Sequence, residues 1–438
     1  MPRRRLSEIQ VSESRSDRGL RLRPERIVVE RAVILLDENR GIRRKPECVS
    51  RKRKGKVVFL HLAVRYPFAG VVWQLLHHLV GFQQLGCDVY YLEDNRAYVY
   101  DPVTQTPVAD AQPNLELVGP VLDRFGFRGK WSFLDPVSQE YFGMDKSHCA
   151  ALLREADAVI NLCGASNPRE EHITNPCLVY LETDPGSLQI KLDRRDPEAI
   201  TYAAAHKLFF TYGYNLGESD CLLPTAGVEW HRTRPPVLLG EWHEGIGPNE
   251  PAALTTVGTW RNQGNDVVIG SNKFLWSKHV NFVKVLDVAG RANQAIELAI
   301  DIDSRSNYER AVRGGFTFVS PLPMSLDIDN YRTYVSSSRG EFTVAKDLYA
   351  RTRSGWFSDR SACYLAAGRP VVTQSTGFEK YVPAGDGLMA FDGPDEAVEA
   401  IKEMNRDYRR HARAARKIAV EYFDALKLLD AMAEVIGL

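Results

Sequence analysis

Residues 340–378 constrain the fold more than any other part of this chain. Within them, a helix pattern that opens at Ser358 ends at Gly368, and the buried-strand pattern 370–373 follows at once. A helix directly followed by a buried strand is typical of a parallel sheet, because parallel strands need crossover connections and are covered on both faces. The segment therefore predicts an α/β fold with a parallel sheet.

The start of this helix is a predicted phosphate site. The free N–H groups of a helix start and its dipole both favour an anion, and Ser358, Asp359, Arg360 and Ser361 add polar and cationic groups there. A turn with Gly377 follows the strand and offers further N–H groups. Because ligands of open α/β sheets bind beyond the carboxyl ends of the strands, we expect these five residues to bind a nucleotide.

The rest of the chain repeats the alternation of strands and helices. Buried-strand patterns separated by helical ones predict a doubly wound domain over residues 56–235, and a second series predicts another over 236–438. Two helical stretches, 394–405 and 408–436, close the second domain. The predicted architecture is two Rossmann-like domains that face each other across a cleft. The strand patterns of the first domain lie at 57–60, 89–92, 158–162, 178–181 and 207–211.

The first 55 residues differ in composition from the rest. Residues 1–56 contain 18 Lys and Arg against 8 Asp and Glu, although the whole chain of 438 residues has a net charge of zero. We interpret residues 1–55 as a basic, mostly flexible tail, with a nucleic-acid or acidic-lipid contact as the alternative. The seven cysteines form no CxxC pair, and no apolar run could span a membrane, so we expect a cytoplasmic protein with reduced thiols.

Two stretches resemble one enzyme family. FSDRSACYLAAGRPVV at 357–372 and VVWQLLHHLVGFQQLGCDVYYLED at 71–94 are similar to segments of GT-B glycosyltransferases. The resemblance implies that the second domain binds a nucleoside-diphosphate sugar such as a UDP-sugar, that the first domain binds the acceptor, and that no metal or other cofactor is required. It covers roughly residues 56–430.

The chain departs from that family at two positions. Many retaining members carry two glutamates eight residues apart, one near the sugar and one near the ribose of the donor. Gly355 and Cys363 stand at those positions here. Glu341 and Asp359 are the nearby acids that could compensate, and retention or inversion stays open.

Transfer from such a donor requires cations for the diphosphate and, for inversion, a base for the acceptor. Lys278, Lys346 and Arg360 are the predicted phosphate ligands, and Glu341 is a predicted acceptor of hydrogen bonds from the ribose. Asp184 follows the strand pattern 178–181 and so falls at the edge of the sheet, where it is a candidate base or a cap of the next turn.

The loop after the first strand supplies the other candidates. His61 is a possible catalytic residue, although a core histidine is the alternative, and Arg65 and Gly70 are expected on the acceptor side. No GxGxxG, GxxxxGK[ST] or GxSxG motif occurs, which argues against NAD, P-loop and serine-hydrolase chemistry. A glycosyltransferase is therefore the predicted function, for a small-molecule or polymeric acceptor. The alternatives are a sugar-nucleotide epimerase, a non-catalytic partner protein, and an enzyme that glycosylates nucleic acid through the basic tail.

Overall fold

Two mainly parallel sheets organise the computed structural model, which describes residues 55–242 and 252–438. The predicted basic tail lies outside these residues. The strands are β1 (Lys56–Leu60), β2 (Asp88–Glu93), β3 (Val99–Asp101), β4 (Thr106–Val108), β5 (Trp131–Leu134), β6 (Tyr141–Gly143), β7 (Ala158–Leu162), β8 (Leu178–Glu182), β9 (Leu208–Thr211), β10 (Trp230–Arg232), β11 (Leu254–Val257), β12 (Val267–Ile269), β13 (Asn272–Phe274), β14 (Ile296–Ala299), β15 (Phe316–Phe318), β16 (Gly340–Thr343), β17 (Val371–Gln374) and β18 (Leu388–Phe391).

Helices connect most of these strands. They are α1 (Ala69–Gln84), α2 (Gln112–Arg124), α3 (Lys146–Glu155), α4 (Glu170–Ile173), α5 (Ser187–Asp193), α6 (Pro197–Ala204), α7 (His279–Phe282), α8 (Val288–Ala292), α9 (Arg305–Arg313), α10 (Leu322–Ser325), α11 (Ile328–Ser337), α12 (Asp347–Thr352), α13 (Asp359–Ala366), α14 (Pro394–Arg406), α15 (Tyr408–Tyr422) and α16 (Ala425–Ile436).

Each sheet reverses its direction of winding once. The first has the order β10-β9-β8-β7-β1-β2-β5-β6, and the second has the order β15-β14-β11-β16-β17-β18. Every pair is parallel except β5 with β6. The chain reverses between β1 and β7 and again between β11 and β16, and the crevices at such switch points are where α/β sheets bind ligands.

Helix α1 is the central packing element of the first sheet. It is apolar around most of its surface, as expected of a helix that is buried on several sides. The last helix, α16, returns to pack against it. The contact is close at Gly81, where an added Cβ would lie 2.3 Å from Cδ1 of Leu429.

The structure differs from the sequence prediction in three places. The predicted helical stretch 408–436 is two helices, because Asp424 interrupts it and caps α16 by accepting a hydrogen bond from Leu426 N–H. Two antiparallel hairpins, β3–β4 and β12–β13, were not predicted. Glu341, the predicted partner of a ribose, lies inside strand β16 and is fully buried. A charged residue in a central strand escapes pattern reading, because its compensating charge comes from elsewhere in the chain.

Candidate functional site

A cavity of about 610 Å³ lies at the carboxyl ends of the strands of both sheets. Its walls come from the loops that follow β1, β8, β11, β14 and β16 and from the start of α13. This volume is within the range of ordinary small-ligand sites. A more open depression of about 710 Å³ lies on α2, β5 and β6, and it contains none of the predicted site residues. The cavity lining includes seven of the predicted residues: Gly70, Asp184, Lys278, Lys346, Ser358, Asp359 and Arg360.

Five predicted residues do not line this cavity. His61, Glu341 and Ser361 are buried behind its wall. Arg65 stacks on the ring of Tyr66, 5.1 Å from its centroid. Gly377, with φ of 92°, packs near Asn215 and Arg353 and not toward the cavity. Gly377 is therefore not among the residues that line the cavity beside the start of α13.

Lys278 is a buried cation in the cavity wall. Its side chain ends without an ion pair or a hydrogen bond to any residue in the described ranges, although the residue is only 7% exposed. Burial lowers the pKa of Lys278 well below its ordinary value, and the nearby charge of Arg360 lowers it further. The charges of Glu341 and Asp184 oppose this shift without forming an ion pair with Lys278. A buried ammonium without an ion pair in the described ranges is costly, so a bound anion would stabilise its charged form.

Lys346 and Asp184 form an ion pair that also lines the cavity. The Lys346 Nζ lies 3.0 Å from Asp184 Oδ1 and 3.6 Å from the centroid of the Trp276 ring. The Tyr349 hydroxyl donates a further hydrogen bond to Asp184. Burial alone would raise the pKa of Asp184, but the Lys346 charge and the hydrogen bonds outweigh it and lower that pKa. Asp184 is thus held as a carboxylate, which makes it a weak base.

Arg360 is fixed by partners inside the second sheet. Its Nε donates to Glu341 Oε1 at 2.5 Å, and its two terminal nitrogens donate to the Val257 carbonyl and to Thr343 Oγ1, both at 3.0 Å. The other carboxylate oxygen of Glu341 has no partner among the residues that the structure describes. Arg360 thus has a structural partner and also lines the cavity, whereas Glu341 is not at the surface where a ribose could bind.

Asp359 is the first residue of α13 and is half-buried in the cavity wall. Gln74 Nε2, from α1, donates a hydrogen bond to Asp359 Oδ1 at 3.2 Å. Burial raises the pKa of Asp359 to about 6, against the smaller opposing effect of that hydrogen bond. Ser358 caps the helix without a side-chain hydrogen bond, and the Ser361 hydroxyl has no partner within residues 55–242 and 252–438. The predicted phosphate-binding helix start therefore carries a carboxylate whose proton is exchangeable near neutral pH.

Neither family glutamate position carries an acid in this structure, and Gly355 has no room for a side chain. Gly355 has φ of 76°, and an added Cβ would lie 2.3 Å from the backbone nitrogen of Asn215. Cys363 does line the cavity, and its Sγ lies 3.6 Å from Nε2 of His77. Burial raises the pKa of the Cys363 thiol well above its ordinary value, so it is an uncharged group.

Sequence reasoning missed several lining residues. Arg261 and Asp303 follow β11 and β14 and form an ion pair at the cavity wall. The rule that selected Asp184, a polar residue just beyond a buried strand, could have selected both. Phe68 and Tyr100, whose ring centroids are 5.9 Å apart, also line the cavity. Tyr100 lies in the β3–β4 hairpin, which has no strong pattern in the sequence.

Three observations bear on the other predictions. No helix within the described ranges is both long and apolar enough to cross a membrane. The six cysteines in the described part of the chain form no disulfide with one another. Within that same part, one cluster, Asp94, Glu171 and His172, could geometrically hold a metal ion. Arg169 forms ion pairs with the carboxylates of Asp94 and Glu171, which leaves this cluster little negative charge for a cation.

Comparison with known proteins identifies the fold. No protein-family model matches the sequence, and no curated protein matches it. An α-glucosyltransferase in complex with UDP and a 13-mer DNA with a central A:G mismatch is 12% identical, with a TM-score of 0.53 over 87% of this chain and 98% of that one. Anabaena Alr3699/HepE in complex with UDP is 12% identical, with a TM-score of 0.51 over 87% and 99%. The same protein in complex with UDP-glucose is 13% identical, with a TM-score of 0.50 over 87% and 99%.

These neighbours are GT-B glycosyltransferases, and the match extends over both sheets. The chain therefore has the GT-B fold, which confirms the fold that the sequence resemblance implies. The domain boundaries at 55/56 and 235/236 stay predictions.

Proposed function

We propose that this protein is a glycosyltransferase that binds a nucleoside-diphosphate sugar in the cavity and transfers the sugar to an acceptor nucleophile. The observation that carries the proposal is the buried, unpaired ammonium of Lys278 in the wall of a cavity at the switch point of the second sheet. A diphosphate is a doubly charged anion of the size that such a cavity admits. The GT-B neighbours were solved with UDP or UDP-glucose, so a UDP-hexose is the first donor to test.

The cavity groups divide the reaction between them. Lys278 and Lys346 would neutralise the diphosphate as the bond between the sugar and its phosphate breaks, because fixed cations in a site with little water stabilise a developing anion. Asp184 would hold Lys346 in place while it does so. The leaving group is the nucleoside diphosphate, and no metal is required in this proposal.

The acceptor side favours an uncharged acceptor. Among the described residues, the lining from the first half of the chain includes Phe68, Trp73 and Tyr100 but no lysine or arginine. Aromatic rings suit sugars and flat apolar groups, whereas nucleic acid is bound chiefly through phosphate contacts to Lys and Arg. A nucleic-acid acceptor, as in the complex of the α-glucosyltransferase with DNA, would have to rely on the basic residues 1–55. We therefore place it second, and we keep the cytoplasm as the proposed location on the basis of the free thiols.

A thermal-shift screen of the full chain against UDP, UDP-glucose, GDP, ADP and their sugars tests the donor. Binding to the folded state raises the unfolding temperature, and we expect a selective rise for one base. No rise at millimolar concentration for any nucleotide would contradict the proposal. Release of UDP from UDP-glucose then separates the alternatives. An epimerase would convert the sugar without releasing UDP, and a non-catalytic protein would bind the donor and leave it intact.

A further inference from the structure

A hydrogen-bonded chain of three side chains reaches the cavity from the core of the first sheet. His61 Nε2 lies 3.1 Å from Gln74 Oε1, and Gln74 Nε2 lies 3.2 Å from Asp359 Oδ1. His61 is wholly buried, whereas Gln74 and Asp359 both line the cavity. Gln74 and Asp359 are 285 positions apart in the sequence, so the chain links α1 of the first half to α13 of the second.

The direction of these hydrogen bonds follows from their chemistry. A carboxylate can only accept, so the amide N–H₂ of Gln74 must face Asp359 and its carbonyl must face His61. His61 must then carry its proton on Nε2. Its Nδ1 has no partner in the described part of the chain, and burial lowers the pKa of His61 to about 3, which keeps the ring neutral. His61 therefore locks the orientation of Gln74 and does not exchange a proton with the cavity.

Asp359 and Asp184 differ in the hydrogen bonds and ion pairs that their carboxylates accept. Asp184 accepts from the Lys346 ammonium and from Tyr349, and these partners favour its charged form. Asp359 accepts one side-chain hydrogen bond, from a neutral amide, which leaves lone pairs free. Asp359 is consequently a better proton acceptor than Asp184. Asp303, another carboxylate of the cavity lining, is paired with Arg261.

The groups around Asp359 are compatible with a base that titrates near neutral pH. The charge of Asp184 disfavours its ionisation, and the adjacent charge of Arg360 favours it. The histidines, thiols and phenol on neighbouring elements are uncharged at neutral pH, because burial lowers the pKa values of the histidines and raises those of the thiols and the phenol: His61, His77, His78, Cys163, Cys363 and Tyr212. The other ionisable groups nearby are Glu341, which is paired with Arg360, and the cavity lysines Lys278 and Lys346.

We propose that Asp359 is the catalytic base that accepts the acceptor's proton, and that Gln74 and His61 are positioning residues that aim its carboxylate. The inference rests on the proposed glycosyl transfer. In the step, the acceptor O–H bond breaks and its proton moves to an Asp359 oxygen. The acceptor oxygen forms the new bond to the anomeric carbon as the bond to the phosphate oxygen breaks, and the nucleoside diphosphate leaves with that electron pair.

Hydrolysis of UDP-glucose, with water as the acceptor, tests the assignment on the full chain. Asp359→Asn keeps the shape of the side chain, and we expect it to retain the thermal shift with UDP but to lose hydrolysis by about 100-fold or more, the usual range for a general base. In the wild type, kcat/KM should fall as the pH drops below the pKa of Asp359. Gln74→Met removes the hydrogen bond that favours the carboxylate, so this fall should move to higher pH. Gln84→Met, an exposed position on the same helix, is the matched control.

The outcomes separate the two proposals. An absent UDP shift in the wild type would overturn the proposed function itself. A normal UDP shift in Asp359→Asn, with hydrolysis within about threefold of the wild type, would overturn the base assignment alone. If Gln74→Met lowers the rate without moving the pH profile, Gln74 is a packing residue and the positioning role is wrong.

Discussion

Replacing Lys278 by methionine should stabilise the ligand-free protein and weaken nucleotide binding together. Methionine keeps the length and apolar stem of the side chain and removes the buried charge. The ammonium has no ion pair among the described residues, and its desolvation costs several kcal/mol. An unfolding entropy of about 2.1 cal/mol/K per residue gives about 0.9 kcal/mol/K for 438 residues. A stability change of about 0.9 kcal/mol therefore shifts the unfolding temperature by about 1 °C. A relief of about 2 kcal/mol would thus raise the unfolding temperature by about 2 °C.

The same substitution removes a charge-assisted contact to the diphosphate. Such a contact is worth about 1.5–3 kcal/mol, which corresponds to roughly 10- to 100-fold in Kd. At a UDP concentration of about 100 times the wild-type Kd, binding stabilises the wild type by about 2.7 kcal/mol, or about 3 °C. If Lys278→Met weakens the Kd about 30-fold, the same UDP concentration should raise the unfolding temperature of the variant by only about 1 °C.

The pH dependence adds a signed test. The pKa of Lys278 is lowered in the folded state, so the unfolded state binds more protons between that lowered value and the ordinary 10.5. Wild-type stability should therefore rise with pH through this window. The stability advantage of Lys278→Met should shrink toward pH 10.

Differential scanning fluorimetry with and without UDP measures all three effects. Lys273→Met is the matched control, because Lys273 is a 62% exposed lysine in the β12–β13 hairpin whose pair with Asp266 contributes little. A Lys278→Met variant that is no more stable than the wild type, or that shows a full UDP shift, would refute the reasoning.

Three other substitutions test the surroundings of the site. Burial raises the pKa of Glu182 from 4.5 to about 8. The free energy of unfolding of the wild type should therefore fall on the order of 4 kcal/mol between pH 4.5 and 8, because the unfolded state releases this proton first. In guanidinium titrations at several pH values, Glu182→Gln should show a smaller fall. Equal slopes for both proteins would contradict it. Glu341→Gln leaves Arg360 buried without its ion-pair partner, and in urea unfolding it should lower the free energy of unfolding by about 3–5 kcal/mol. The double variant Glu341→Leu, Arg360→Met removes both charges and should recover much of that stability. Gly355→Ala should cost more than Gly264→Ala in the same assay, because both have positive φ but only Gly355 would meet another backbone. A smaller loss at Gly355 would show that the neighbouring loop yields.

Much of the site's location could be predicted from the chain alone. Asp184 was predicted from its place after a strand pattern and Arg360 from its place at the start of a helix. Both line one cavity, together with the predicted phosphate ligands Lys278 and Lys346. This works because parallel strands place their carboxyl ends at one edge of the sheet, whatever the side chains are. Their roles in catalysis stay predictions.

The alternation of strands and helices by itself determined two doubly wound sheets and where a ligand would bind. The tertiary structure alone decided which charged side chains form ion pairs. Arg360 pairs with Glu341 and Asp184 pairs with Lys346, whereas Lys278 pairs with no residue in the described ranges. It also brought Gln74 to Asp359 across 285 positions of sequence. Strand and helix patterns arise from neighbouring residues, whereas the pairing of a buried charge depends on which distant side chain the packing of two helices brings within about 3 Å.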